Sequence, residues 1–254
     1  MKKTQRKSNH AIASEWNNIA KFRHQQITKE NDLSYNYVLI PSILSLIKNE
    51  FNSKKNLNIL DAGCGTGNLA YQLSKRENSC ITGIDISEES IKIAKETYGN
   101  SRNISFYSSS IENFSDNIVN KFKYDLIVSN MTLMDVSNLD NVVKSISSML
   151  KDEGVFVFSI THPVFWSRYW EYENSNWFNY LEEIFIEAPF KTSLDNSEFI
   201  TSHIHRPLEM YFHSLRDNNL RVIDLIEPMP ERKIEEKYPK SWEFPRFMVV
   251  KCIK

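Results

Sequence analysis

The run Asn58-Ile59-Leu60-Asp61-Ala62-Gly63-Cys64-Gly65-Thr66-Gly67 constrains this chain more than any other stretch. It reads as a buried strand that ends in a glycine-rich turn and opens a helix. Glycine has no Cβ and tolerates positive φ, so such a turn lets backbone approach a ligand closely. Strand, turn and helix in this order form the setting in which nucleotide-like cofactors bind. A second strand, Ile81-Thr82-Gly83-Ile84-Asp85, ends in a carboxylate 18 residues past Gly67. An acid so placed can accept both hydroxyls of a ribose.

The glycine spacing narrows the choice of cofactor. A dinucleotide turn calls for G-x-G-x-x-G. Here Gly63, Gly65 and Gly67 alternate, and Asn68 stands where the third dinucleotide glycine would be. The pattern D-x-G-x-G-x-G after a strand resembles motif I of the class I S-adenosylmethionine-dependent methyltransferases. The resemblance covers roughly residues 35–254. It implies S-adenosylmethionine as cofactor and S-adenosylhomocysteine as product, with the turn Asp61, Gly63, Cys64 and Gly65 against the methionine part and ribose. It also implies that Asp85, followed by Ile86, takes the ribose hydroxyls. Ser110, Ile111 and Glu112 match the adenine position, with Ile111 packing on the ring and Ser110 or Glu112 meeting the amino group. Asn130 and Met131 match the position that lines the methionine end and the reacting centre.

The rest of the chain alternates strand and helix. Strands are expected at 57–61, 81–85, 104–108, 124–130 and 155–160. Ser87 caps the helix after the second of them. Helix 139–150 carries Leu139, Val142, Val143, Ile146 and Leu150 on one face. The last two strands, 220–226 and 247–253, have no helical crossover between them, so the final strand should run antiparallel. Alternation with short connections means helices on both faces of a mostly parallel sheet. The expected fold is therefore α/β, a Rossmann-like seven-stranded sheet with an antiparallel last strand. Before it, residues 10–50 look helical, with Ser14 capping a helix that bears Trp16, Ile19 and Ala20. Pro41 marks the start or a kink of a second helix. Residues 1–34 are read as a helical or tail segment and 35–254 as the methyltransferase domain. Lys2, Lys3, Arg6 and Lys7 read as a solvated, disordered tail.

Residues 164–205 break the pattern. They hold 11 aromatic residues in 42 positions, about twice the chain average of 12%, with no clean period. The stretch lies between the fifth strand and the helix that follows, at the carboxyl edge where open α/β sheets bind ligands. It is expected to form a small aromatic lid that presents Trp166, Tyr169, Trp170 and His205 to an acceptor substrate. A minor hydrophobic core or a dimer contact are the alternatives.

His162, in Thr161-His162-Pro163 at the end of the fifth strand, is the candidate general base, because imidazole titrates near working pH. The alternative for it is a backbone hydrogen bond that fixes the turn. His203 and His205 can return toward the lid, but two histidines at i, i+2 do not make a metal site, and no metal is expected.

A net charge of -1 gives no basic surface for a phosphate backbone, so nucleic acid is not an expected partner. After the fourth strand the chain reads Asn130-Met131-Thr132-Leu133 rather than the Asn/Asp-Pro-Pro-aromatic of base and glutamine methylating enzymes. Three scattered cysteines fit a reducing cytoplasm. No apolar run suggests a signal peptide or membrane span. The reading is methyl transfer to an N or O atom of a small molecule, in secondary metabolism, by a cytoplasmic monomer or homodimer. RNA or protein methylation, a non-catalytic binding module and an NAD-dependent reductase are the competing readings.

Overall fold

The computed structural model describes residues 1–53, 56–118, 122–192, 194 and 196–254. The chain opens with strand β1 (Lys2–Thr4) and helix α1 (Asn9–Thr28), then a π-helical turn (Tyr35–Leu39) and helices α2 (Ile40–Leu46) and α3 (Lys48–Ser53). Strand β2 (Leu57–Ala62), α4 (Asn68–Ser74), β3 (Ser79–Asp85), α5 (Glu88–Tyr98), β4 (Ile104–Ser108), α6 (Ile111–Ile118), β5 (Tyr124–Asn130), α7 (Leu139–Met149) and β6 (Leu150–Thr161) follow in strict alternation. The chain closes with α8 (Trp166–Tyr169), β7 (Ile184–Lys191), β8 (Asn196–His205), α9 (Leu208–Asp217), β9 (Arg221–Ile226), α10 (Arg232–Glu235) and β10 (Phe247–Ile253).

Seven strands form one sheet in the order β4-β3-β2-β5-β6-β10-β9. Neighbours from β4 to β6 are parallel, and β10 runs antiparallel to both β6 and β9. The expected antiparallel final strand is present. Successive side chains point to opposite faces, and both faces are covered. Leu60, Ile127, Phe156 and Phe158 pack with Val142, Ile146 and Leu215 in one core. Ile59, Leu126, Val128 and Val157 pack with Ile43, Leu69 and Ile91 in the other. Burial on both sides explains why these strands read as continuous apolar runs.

The local signals for helix ends mostly hold. Ser87 accepts from the Ser90 amide at 3.1 Å and caps α5. Pro41 lies at the start of α2. Ser14 is a correction: α1 begins at Asn9, and Ser8 caps it by accepting from the Ala11 amide at 3.3 Å.

The insertion after β6 is more ordered than its sequence suggests. β7 and β8 form an antiparallel hairpin, and β1 joins it as a third strand, with Lys2 opposite Glu187 and Thr4 opposite Phe185. Residues 193 and 195 of the expected lid lie outside the described residues. Ile184 and Ile186 face Tyr172, Trp166, Trp170, Trp177 and Phe178. Phe185, on the opposite face, is also buried and lies under the Arg6 guanidinium. With both faces covered, the period of two disappears from the sequence. The expected disorder of the first residues is overturned by β1 and by Lys7, which forms ion pairs with Glu15 and Glu187 and is mostly buried, while Lys2, Lys3 and Arg6 stay exposed. α1 then crosses over α5 and β8. Among the described residues, no helix is long and apolar enough to cross a membrane.

Candidate active site

The carboxyl ends of β2, β3, β5 and β6 converge on one edge of the sheet. A continuous cavity of about 300 Å³ lies there, between that edge, α1, α8 and the three-stranded cap. Every residue expected at the cofactor lines it: Asp61, Gly63, Cys64, Gly65, Asp85, Ile86, Ser110, Ile111, Glu112, Asn130 and Met131.

The turn after β2 is left-handed at Gly63, Gly65 and Gly67, with φ of +82°, +52° and +85°. Two of these positions differ in what surrounds them. A Cβ at Gly63 would lie 2.1 Å from the Thr132 hydroxyl oxygen, so side chain is excluded there. A Cβ at Gly65 would meet nothing within 4 Å, so this backbone faces open space that a ligand can fill. The Gly65 amide donates to Asp85 at 2.8 Å, and the Ser87 amide donates to the other Asp85 oxygen at 2.8 Å. The carboxylate is thereby fixed, and each oxygen keeps a lone pair for a hydroxyl donor. Burial raises the Asp85 carboxyl, and these two amides oppose the rise.

Asp61 is 1% exposed, and neither of its carboxylate oxygens has a hydrogen-bond partner among the described residues. Burial pushes its carboxyl up to about 8, the Asp85 charge adds to the rise, and the Ala70 amide, outside good hydrogen-bonding geometry, offsets part of it. A buried, unpartnered carboxylate is costly and calls for a cation or strong donor. Asn130 accepts from the Ser159 hydroxyl at 2.7 Å, which orients its amide. Met131 sits in the left-handed region at φ +56°, held by its amide donating to the Ser159 carbonyl and hydroxyl oxygens, each at 3.0 Å. Such backbone strain in a non-glycine residue is common at functional sites. Ser110 is partly engaged, accepting from the Asn113 amide at 3.2 Å.

Of the residues expected at the acceptor, Trp166, Tyr169 and Trp170 line the cavity, while His205 does not. Its Nε2 donates to the Tyr180 carbonyl at 3.0 Å, and the ring packs on Phe178. His162 is also outside the lining. Its Nε2 lies 2.7 Å from Glu227, its Nδ1 accepts from the Val164 amide at 3.2 Å, and its ring lies tilted against Phe165, 4.7 Å between centroids. Both ring nitrogens of His162 are thus engaged away from the cavity. Burial lowers its imidazole, opposed by Glu227.

Several lining residues had no local signal in the sequence. Tyr35 projects from the π-helical turn, Trp16 and Arg23 from α1, and Arg246 from just before β10. The Arg246 guanidinium is packed 4.1 Å from the Tyr169 ring and 4.3 Å from the Trp242 ring. Arg23 is paired with Asp32 at 2.9 Å. Asp135 and His203 also line the cavity; the first sits five positions beyond Asn130, past the strand end that the sequence marks. Among the described residues, no group of three or more metal-ligating side chains exists.

Sheet order, glycine turn and strand-end acids together are those of a class I S-adenosylmethionine-dependent methyltransferase. The chain belongs to this family: residues 53–212 match its methyltransferase domain. Over 119 residues it is 35% identical to malonyl-[acyl-carrier protein] O-methyltransferase of Bacillus cereus, covering 46% of this chain and 42% of that protein. Over 126 residues it is 30% identical to the ubiquinone biosynthesis O-methyltransferase of Actinobacillus pleuropneumoniae, covering 48% of this chain and 53% of that one. The chain thus spans about half the length of the curated relatives it matches. An S-adenosylmethionine-dependent methyltransferase from Clostridium acetobutylicum superposes with a TM-score of 0.61 at 20% identity, over 94% of this chain and 98% of that one. The N-methyltransferase NodS of Bradyrhizobium japonicum, in complex with S-adenosylhomocysteine, does so with 0.54 at 16% identity, over 84% and 86%. These two share the fold.

Proposed function

We propose that this protein transfers the methyl group of S-adenosylmethionine to an N or O atom of a small-molecule acceptor held under the β1-β7-β8 cap. The observation that carries the reading is one continuous cavity running from the glycine turn to the aromatic cap. Its first end fits the donor. Gly65 leaves open space beside the backbone, Asp61 offers an unpartnered carboxylate to an ammonium, and Asp85 offers fixed oxygens to ribose hydroxyls. Ile111 supplies an apolar surface, with Glu112 beside it. When bound, the donor brings an activated methyl group on a sulfonium sulfur. The protein therefore needs mainly to align the acceptor and exclude water. Trp16, Trp166, Tyr169 and Trp170 supply the apolar walls that do so. The ubiquinone biosynthesis relative supports a small acceptor, as does the placing of the cavity between the sheet edge, α1 and the cap.

The test incubates purified protein with methyl-labelled S-adenosylmethionine and fractionated extract of its own organism, counting label separately in small molecules, RNA and protein. Label in small molecules is expected. Label in RNA or protein would replace the acceptor class, and cofactor binding without any label would reduce the protein to a binding module.

A further inference from the structure

Asp135 has no part in the donor end of the cavity, yet it is 8% exposed, lines the cavity, and among the described residues its carboxylate takes part in no hydrogen bond or ion pair. The nearby ionic groups are committed elsewhere. Glu15 accepts from Ser202 and pairs with Lys7. Arg206, completely buried, donates to Glu183 at 2.7 Å, to the Leu133 carbonyl at 3.0 Å and to the Val136 carbonyl at 2.6 Å.

The loop that carries Asp135 is tied at nearly every residue. Arg206 grips the carbonyls of Leu133 and Val136. The Ile204 amide of β8 donates to Met134 at 2.7 Å, and the Asp135 amide donates to Thr132 at 2.8 Å. Thr132 in turn lies against Gly63. A loop this constrained, ending in one unpartnered carboxylate that faces a cavity, is a preorganised receptor for a positive or proton-bearing group. The other side-chain cations on the cavity wall do not answer it: Arg23 is paired with Asp32, Arg246 is packed among aromatic rings, and Lys191 lies over the Trp170 ring at 4.2 Å. Around the space stand Trp16, Trp166 and Trp170, faces suited to a flat or apolar body and attractive to a cation.

We propose that the acceptor is a cationic amine on an apolar or aromatic body, and that Asp135 binds its nitrogen and takes the proton it must shed. This rests on the methyltransferase reading above. In the step, an N–H bond of the ammonium breaks and its proton passes to the Asp135 carboxylate. The freed nitrogen lone pair forms the N–C bond, and the methyl carbon's bond to sulfur breaks with its electron pair kept by sulfur. A carboxylate acceptor would instead meet Asp135 charge against charge.

The test uses the full chain saturated with S-adenosylhomocysteine and reads binding by calorimetry and tryptophan fluorescence. The probes are phenethylamine, 2-phenylethanol and phenylacetate, and in parallel tryptamine, tryptophol and indole-3-acetate. Each amine is expected to bind at least about tenfold tighter than its alcohol and acid partners. Asp135→Asn should erase that preference while leaving S-adenosylhomocysteine affinity within about twofold. Alcohol or acid binding as tightly as the amine, absence of binding by all six, or an amine preference that survives Asp135→Asn would overturn the proposal. The wild-type comparison decides the matter even if the variant does not fold. If the wild-type chain fails to bind S-adenosylhomocysteine, the donor reading fails instead.

Discussion

At the donor end of the cavity, Asp61, Gly63, Gly65 and Gly67 follow one another within seven residues. At the acceptor end, Glu15 meets Ser202 from 187 positions away, and Lys2 lies opposite Glu187. The centre of the donor end is thus one strand, one turn and one helix, completed by the ends of β3, β4 and β5, whereas the cap is assembled from the N-terminus and a late hairpin. A ligand shared by a whole family can be served by a local motif. An acceptor that differs between relatives is served by long-range pairing, which leaves the local motif untouched. The two ends should therefore respond separately to substitution.

The largest separation is expected from Gly63→Ala. The substituted residue would have to hold φ +82° with its Cβ 2.1 Å from the Thr132 hydroxyl oxygen. Affinity for S-adenosylhomocysteine should fall by about 100-fold or more in calorimetry. A loss below about tenfold would show that turn and loop relax together, and would weaken the distinction between the two ends.

Lys7→Ala probes the other end. It leaves Glu15 without its cation and Glu187 with only the exposed Lys2. Urea unfolding should show a loss of about 1–3 kcal/mol, below the cost of a fully buried pair because water reaches part of the site. S-adenosylhomocysteine affinity should stay within about twofold, and turnover should drop. Equal damage to both would mean that the cap and the donor end are one cooperative unit.

The same contrast explains what was legible in the sequence. Strand positions in the seven-stranded sheet, the Ser87 cap and the antiparallel β10 follow from local pattern and connection length. Every residue named for the donor site came to the cavity because the turn and the strand ends are contiguous signals. The cap was legible only as an aromatic excess. Ile184, Phe185 and Ile186 of β7 are buried on both faces and so show no alternation, and β1 is too short and too charged to announce a partner. His162 had the right residue type and the right strand end. It missed the cavity because Glu227, contributed after β9, draws the ring aside. Asp135 escaped notice because its importance lies in having no partner, a fact visible only when the fold is complete.

The smallest expected effect is also the one in which the two ends oppose each other. At the cap, His203 lines the cavity with a buried, unpartnered Nε2, and burial, helped by His205, pushes its imidazole down to about 4. The unfolded chain takes up that proton near pH 6.5, so the stabilising contribution is intact above that value and drains away as pH falls toward 4. At the donor end, Asp61 is pushed up to about 8. Its contribution runs the other way: it is intact below the unfolded carboxyl value and is lost as pH rises toward 8. Unfolding free energies measured from pH 4.5 to 8 should separate the two. His203→Gln should flatten the acid limb by roughly 1–3 kcal/mol, part of the full displacement because some of the ring faces the cavity. Asp61→Asn should flatten the alkaline limb and leave the acid limb alone. Saturating S-adenosylhomocysteine, whose ammonium would pair with Asp61, should act on the alkaline limb only. If it flattened the acid limb as well, the donor would be reaching His203, and the boundary between the two ends would have to be redrawn inside the cavity.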